Sequence, residues 1–365
     1  MDENPLGGAE TPPFSGSYFP NDVTFLLRVT RAESPRPAAA PSLPEPLPDL
    51  AREELLERVL RRGLSAMAAD LAALAAIVEY RRSDRLALVS LARAGTPVGV
   101  ALTRIFRERY RREVCHYSIS YVPSLGLDRA ALARVLESHL PEEIVFVDAW
   151  IGDEARARGF TQAVLAFNRE TGVRLNPKLA VLSNPLGAPA LTPGARDYLM
   201  PPVLFGAYAS GLIGPIGAPA ESGGPRAFHE CHYFPSLAGH DLTLWLMDKI
   251  MWFWRTTHNR RRIPRNFFHL QERRAQRARA ARIWRDFSRS ALAKYGVADR
   301  RLILPGVCET ARALLEGSVA LALVRDLKDP ELERPLQLAE SRGAPIRLVR
   351  HLPYKAVAIA RAVRD

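Results

Sequence analysis

Between Arg85 and Leu182, short apolar runs alternate with stretches of helical periodicity, and no other feature narrows the possible folds as far. Arg85–Leu91 reads as a strand, followed after Ala92-Arg93-Ala94-Gly95-Thr96-Pro97 by a helical pattern to about Tyr110. Val114–Val122 reads as a second strand, Asp128–His139 as a helix, and Ile144–Val147 as a third strand. A loop at 148–153 leads into a helix through Phe167, and Leu179–Leu182 reads as a fourth strand. Strand, helix, strand, helix is the order of a parallel α/β sheet. Such sheets bind ligands beyond the carboxyl ends of their strands, so the loops 92–96 and 148–153 are expected on one rim.

The flanks divide the chain into four parts. Residues 1–50 form an arm rich in Pro and Gly that cannot hold a regular helix, with its more apolar piece Phe14–Leu27 expected to dock onto the body. Residues 51–250 are the α/β body, beginning with an Ala- and Leu-rich helical stretch to residue 79, and 251–302 are an Arg-rich helical segment. Residues 303–365 are predicted to form a small separate α-β-α domain, with helices at 307–316, 330–342 and 354–364 and strands at Val319–Val324 and Ile346–Val349.

Charge is concentrated rather than spread. The formal net charge is +12, and between Arg255 and Arg301 fourteen arginines and Lys294 stand against Glu272, Asp286 and Asp299, which accounts for the whole excess. With Trp252, Trp254, Phe267, Phe268 and Trp284 interleaved, this stretch suits a polyanion, because guanidinium pairs with phosphate and aromatic rings stack on bases. The competing reading is a solvated helix face whose arginine stems cover apolar neighbours. Apolar residues at 47% and charged residues at 25% exclude a wholly disordered chain. Cys115, Cys231 and Cys308 are too scattered for a disulfide framework and point to a reducing cytoplasm. No CxxC is present, and the grouping His229-x-Cys231-His232 lacks the distant partners of a zinc site. The start Met1-Asp2-Glu3-Asn4-Pro5 does not read as a secretory signal, and no run is apolar enough to span a membrane.

Ser90-Leu-Ala-Arg-Ala-Gly-Thr-Pro97, Cys115-His-Tyr-Ser-Ile-Ser120 and Val145-Phe-Val-Asp-Ala-Trp-Ile-Gly152 resemble the phosphoribosyltransferase-like proteins of bacterial tellurite-resistance and stress operons, a family also labelled StiP and called a cysteine protease. Ser15-Gly-Ser-Tyr18, Asp22-Val-Thr-Phe-Leu-Leu27, Ser210-Gly-Leu212 and His240-Asp241-Leu242 extend the likeness over about residues 14–250. The resemblance implies binding of phosphoribosyl pyrophosphate, or a related nucleotide, with Mg²⁺. Arg93, Ala94 and Gly95 would hold pyrophosphate, Asp148 would hold the ribose and metal as the catalytic residue, and Gly152 would wrap the 5′-phosphate. Ile151 stands where the family usually has a hydroxyl, and Asp153 and Glu154 set negative charge where phosphate would rest, a pattern of degenerate catalysis. The protease label would require a cysteine activated by a histidine, and Cys115-His116 and Cys231-His232 are adjacent pairs that point to opposite strand faces.

The C-terminal unit resembles the Pelota and L7Ae-type RNA-binding domain through Pro305-Gly-Val-Cys-Glu-Thr-Ala-Arg312, Leu314-Leu-Glu-Gly317, Ala320–Val324, Asp329-Pro-Glu-Leu332 and Gly343-Ala-Pro-Ile346. The resemblance implies RNA contact through Gly306, Glu309 and Arg312, with Cys308 replacing the family's base-contacting Asn, and with Arg347, Arg350 and Lys355 as further phosphate contacts. Three functions follow as expectations: a phosphoribosyltransferase-like stress protein that also binds RNA, a non-catalytic RNA-binding scaffold, or a cysteine protease.

Overall fold

The alternation between Arg85 and Leu182 folds into one parallel sheet. The structure is a computed structural model, and it describes residues 14–31, 53–80, 85–217, 227–258 and 270–361. In chain order the first elements are β1 (Thr24–Phe25), β2 (Arg28–Arg31), α1 (Glu53–Glu79), β3 (Leu86–Leu91), α2 (Gly95–Tyr110) and β4 (Val114–Ile119). They are followed by the short strands β5 (Tyr121–Val122) and β6 (Gly126–Leu127), then α3 (Arg129–Leu136), β7 (Ile144–Val147), α4 (Glu154–Thr171), β8 (Leu179–Ala180) and β9 (Ala190–Leu191). The six-stranded sheet runs β1-β4-β3-β7-β8-β9, every pairing parallel. Its central strand β3 is buried along its whole length, which explains why Leu-Ala-Leu-Val-Ser-Leu carries no polar alternation.

Local chemistry sets the helix boundaries. Asp128 caps α3 by accepting from the Ala131 N–H at 2.9 Å, and Asp153 caps α4 by accepting from the Arg156 N–H at 3.0 Å. Helix α4 ends at Gly172, whose φ of 74° closes the last turn without the cost a side chain would bring.

The N-terminal piece docks as expected but does more than lie on the surface. β1 extends the main sheet beside β4, and β2 crosses to a second, three-stranded sheet. Asp22 and Arg104 of α2 pair at 2.6 Å and fasten the segment between the two. The second sheet, β10-β11-β2, is completed by β10 (Ile213–Gly217) and β11 (Glu230–Tyr233), both of which follow the short helix α5 (Pro201–Phe205) in the chain. Helix α6 (Thr243–Phe253) buries Leu246, Met247, Ile250 and Met251 in the same core that receives Leu64, Met67, Leu71 and Leu74 of α1.

The Arg-rich segment is mostly helical where it is described, chiefly as α7 (Leu270–Tyr295), with a break at 296–299. Arg260–Arg262, Phe267 and Phe268 lie outside the described residues. Two of the tryptophans expected to be free for stacking are instead buried. Trp254 is enclosed in the core, and Trp284 donates its Nε1–H to Glu154 at 3.0 Å beneath the Arg300 guanidinium. The remaining elements are β12 (Ile303–Pro305), α8 (Val307–Leu315), β13 (Val319–Val324), α9 (Glu333–Ser341), β14 (Ile346–Leu348) and β15 (Ala356–Ala360).

One prediction fails here. The expected helix at 354–364 is a strand, inserted between β12 and β13 in the order β12-β15-β13-β14. Ala-Val-Ala-Ile-Ala has helix-forming alanines, but pairing on both edges and burial on both faces outweigh that intrinsic preference. Nor is this unit isolated. Val307, Cys308, Ala311, Val324, Leu332 and Ala356 belong to the same apolar cluster as α1 and α6.

Candidate functional site

Strands β3 and β7 are parallel neighbours, so the turns that follow them leave the same rim. Beyond that rim lies a cavity of about 360 Å³ whose lining includes Arg93, Asp148, Trp150, Arg156, Glu309 and Arg312. Gly95 starts α2 directly behind Asp148: a Cβ there would stand 2.7 Å from the Val147 carbonyl oxygen, so only glycine lets the helix approach this closely. Asp148 is buried; its Oδ1 accepts from the Ala149 N–H at 2.8 Å, and its Oδ2 lies 3.8 Å from Arg156. Burial raises its carboxyl above the ordinary value, and Arg156 opposes the shift. Burial also raises Asp153, against the Arg156 N–H that it caps.

The opposite wall comes from the C-terminal unit. Trp150 donates its Nε1–H to Glu309 Oε2 at 2.7 Å, and a Cβ on Gly152 would stand 2.8 Å from the Glu309 Cβ. Arg312 pairs with Glu309 and, at 2.7 Å, with Glu316. Burial pushes Glu309 up, but Arg312 and the Trp150 N–H outweigh it and hold the carboxyl below its ordinary value.

The structure thus brings Arg93, Ala94, Asp148, Gly152, Glu309 and Arg312 around one space, with Asp148 and Gly95 in contact behind it. Gly306 and Cys308 sit apart from the cavity. Gly306 has a φ of 97° and donates its N–H to Ala356 at 2.9 Å, and the Cys308 thiol donates to the Tyr198 carbonyl at 3.1 Å while accepting from the Met200 N–H at 3.2 Å. Lys355 is held by Asp329 and Glu331 at 3.0 and 2.7 Å, and Arg347 lies over the Tyr295 ring.

Two residues that fix this arrangement are not among the site residues expected from the sequence, although Glu331 lies within the Asp329-Pro-Glu-Leu332 motif. Asp197 accepts from the Val307 and Lys355 N–H groups at 2.8 and 2.6 Å, and Glu331 accepts from the Leu199 N–H at 3.2 Å. Each bond joins groups more than a hundred residues apart, so no local pattern announces it. Among the described residues no group of three or more His, Cys, Asp or Glu is placed to hold a metal ion. The Asp148 and Glu309 oxygens already have protein partners, so this donor set does not favour magnesium.

The three thiols are sharply different. Cys231 is buried and pushed up to about 12 by burial and then by Glu230, so it stays a protonated thiol at neutral pH. Burial likewise drives Cys308 well above the ordinary thiol range. Cys115 is exposed. Its neighbour His116 points the other way, with Nδ1–H donating to the Asp22 carbonyl and Nε2 accepting from the Ser90 hydroxyl, both at 2.8 Å; burial lowers it to about 4, so it stays neutral. Two residues along β4, on the same face as Cys115, is Tyr117. Its phenol is held above its ordinary value by burial and then by contact with the Cys115 thiol. The Tyr117 hydroxyl reaches His139 Nε2 at 3.2 Å, and His139 Nδ1 lies 3.4 Å from Glu143. Cys115 is therefore the thiol with both access and a route to a histidine–carboxylate pair.

Comparison with known proteins gives two matching families. The one described as "Tellurite-like stress resistance cysteine protease StiP" matches residues 16–251, and the PELOTA RNA binding domain matches residues 284–362. A protein of Acinetobacter baylyi described as "Cysteine protease StiP" is 26% identical over 374 residues, covering 95% of this chain and 94% of that protein. No solved structure matches. These findings overturn the expectation of phosphoribosyl transfer, since the matching family is described by cysteine-protease chemistry. The cavity lining offers a physical reason for the correction. Asp148, Asp153, Glu309 and Glu316 set four carboxyl groups against Arg93, Arg156 and Arg312, and Arg312 is already paired twice, a poor setting for a multiply charged pyrophosphate.

Proposed function

The chain belongs to the StiP family, whose match spans well over half of it, and from that premise we propose that it is a thiol-dependent peptidase acting through Cys115. The observation that carries this reading is the contrast among the thiols: Cys231 and Cys308 are buried and held protonated, whereas Cys115 is exposed and in contact with the Tyr117–His139–Glu143 array. In this scheme the Cys115 proton passes to the Tyr117 oxygen while the phenol's own proton moves to His139 Nε2. Sulfur adds to the peptide carbonyl carbon, and Glu143 steadies the imidazolium. When the C–N bond breaks, the leaving amine takes the proton back by the same route. Water then opens the thioester, releasing the acid and the free thiol. The PELOTA match adds RNA as a partner of the C-terminal unit.

Iodoacetamide footprinting by mass spectrometry, beside hydrolysis of a fluorogenic peptide library, tests the assignment. Native protein is expected to be labelled at Cys115 and spared at Cys231 and Cys308. Cys115→Ser should lower peptidase turnover by at least 100-fold, with Cys231→Ser close to wild type. A Cys115→Ser protein with full turnover would remove Cys115 from the mechanism.

A second reading rests on the cavity at the sheet rim. Its mixed charges beside the apolar Trp150, Phe160 and Phe205 suit a small organic ligand with an apolar body and a hydrogen-bonding end, with Asp148 exchanging a proton with that end. Thermal-shift screening of amino acids, short peptides and nucleosides is expected to give a class that raises Tm, an effect lost in Asp148→Asn. If every shift persists in that variant, Asp148 has no part in binding.

A further inference from the structure

Gly306, Cys308 and Glu309, at the centre of the expected Pelota-type RNA contact, face inward in this chain, whereas Arg347 and Arg350 are exposed. Glu309 and Cys308 are 3% and 5% exposed, Glu309 is hydrogen-bonded to Trp150, and the Gly306–Arg312 stretch is roofed by Gly152 and the segment at 197–200. Meeting RNA there would require breaking the Asp197, Glu331, Cys308 and Trp150 hydrogen bonds together.

Helix α7 presents the reverse situation. At 100° per residue, Arg274, Arg277, Arg282, Arg285 and Arg289 fall within an arc of about 140°, spread over roughly 22 Å of helix. All five are exposed, and none has an ion pair among the described residues, whereas Arg104, Arg112, Arg129, Arg255 and Arg300 elsewhere each meet a carboxylate. The side that holds them in place adjoins the Arg277 edge of the stripe: Ala280, Trp284, Ser288 and Ala291 are buried there, and Trp284 is anchored to α4 through Glu154. A rigid helix with a continuous row of free guanidinium groups is matched to a row of phosphates. A lipid surface would ask for large apolar side chains beside the arginines, and among the side chains of α7 whose burial is described Ile283 is the only large exposed apolar one.

We propose that RNA lies along the arginine stripe of α7 and is held there through its phosphates, while the Gly306–Arg312 stretch serves to dock the C-terminal unit onto the α/β body. This rests on the reading that the chain binds RNA. It assigns the contact to a surface that includes residues N-terminal to the PELOTA match.

The experiment uses the full chain and two labelled RNAs, a kinked hairpin and a plain duplex, with affinity read by fluorescence anisotropy between 50 and 250 mM salt. Wild type is expected to bind both, with little preference for the kink. The triple variant Arg277→Glu, Arg282→Glu, Arg285→Glu should weaken binding at least 30-fold and reduce the salt slope by about 2–3, since each lost phosphate contact removes roughly 0.7–0.9. Glu309→Gln should bind within twofold of wild type. Circular dichroism melting of each variant separates lost contact from lost fold. A triple variant with unchanged affinity and slope overturns the proposal, as does a large loss in Glu309→Gln with α7 intact. Wild type that binds neither RNA overturns the RNA reading itself, and binding to anionic phosphatidylserine vesicles in its place would assign the stripe to a membrane.

Discussion

His116 and Asp70 are buried ionisable side chains whose effects on stability run in opposite directions. His116 is lowered to about 4 by burial, so the fold favours its neutral form. Its contribution is present above the unfolded value of 6.5 and is lost as pH falls through about 4. Asp70 of α1 is raised to about 6, again chiefly by burial, with Arg196 at 3.3 Å opposing; its Oδ2 has no hydrogen-bond partner, which suits a protonated carboxyl. Its contribution is present below the unfolded value of 3.8 and is lost as pH rises through about 6. Between about pH 4 and 6 the two offset each other. Asp70→Asn removes one side of that balance. Chemical denaturation across this window should then show stability rising with pH by roughly 2–3 kcal/mol more than in wild type. A parallel pair of curves would mean that Asp70 titrates normally in the fold.

At the scale of elements, legibility followed the range of the interactions that fix each one. Val319–Val324 and Ile144–Val147 have the same limits in pattern and structure, because an uninterrupted apolar run between turn residues is local information. β15 was hidden, since five small and branched apolar residues carry no period that separates a buried strand from a buried helix; the neighbours that decide it lie 32 to 56 residues earlier. The rim loops were legible from strand order, which placed Arg93 and Asp148 around one space. The far wall was not, because Glu309 reaches Trp150 across 159 positions. The Tyr117–His139 link escaped for a different reason. The histidines beside Cys115 and Cys231 drew attention to sequence neighbours, whereas strand geometry couples Cys115 to the residue two along.

For the whole molecule, the decisive joint is Asp197. It holds the first turn of α8 and the start of the β15 region at once, and Tyr198 and Met200 beside it clasp Cys308. Asp197→Ala would leave two N–H groups without their acceptor, at about 1–3 kcal/mol each. The expected result is a C-terminal unit that is cut more readily by trypsin while its own sheet persists, together with a red shift of tryptophan emission as Trp150 loses Glu309. Unchanged proteolysis and emission would show that apolar packing alone holds the two units together.

The same wide spacing governs how the molecule comes into being. β2 is synthesised about two hundred residues before its ladder partner β11, with Arg28 matched to Glu230. Until then the second sheet lacks its middle strand, and the β2 edge waits unpaired by β11. The six-stranded sheet has all its strands by Leu191, so it is the second sheet alone whose closure is late, waiting until Tyr233 has emerged.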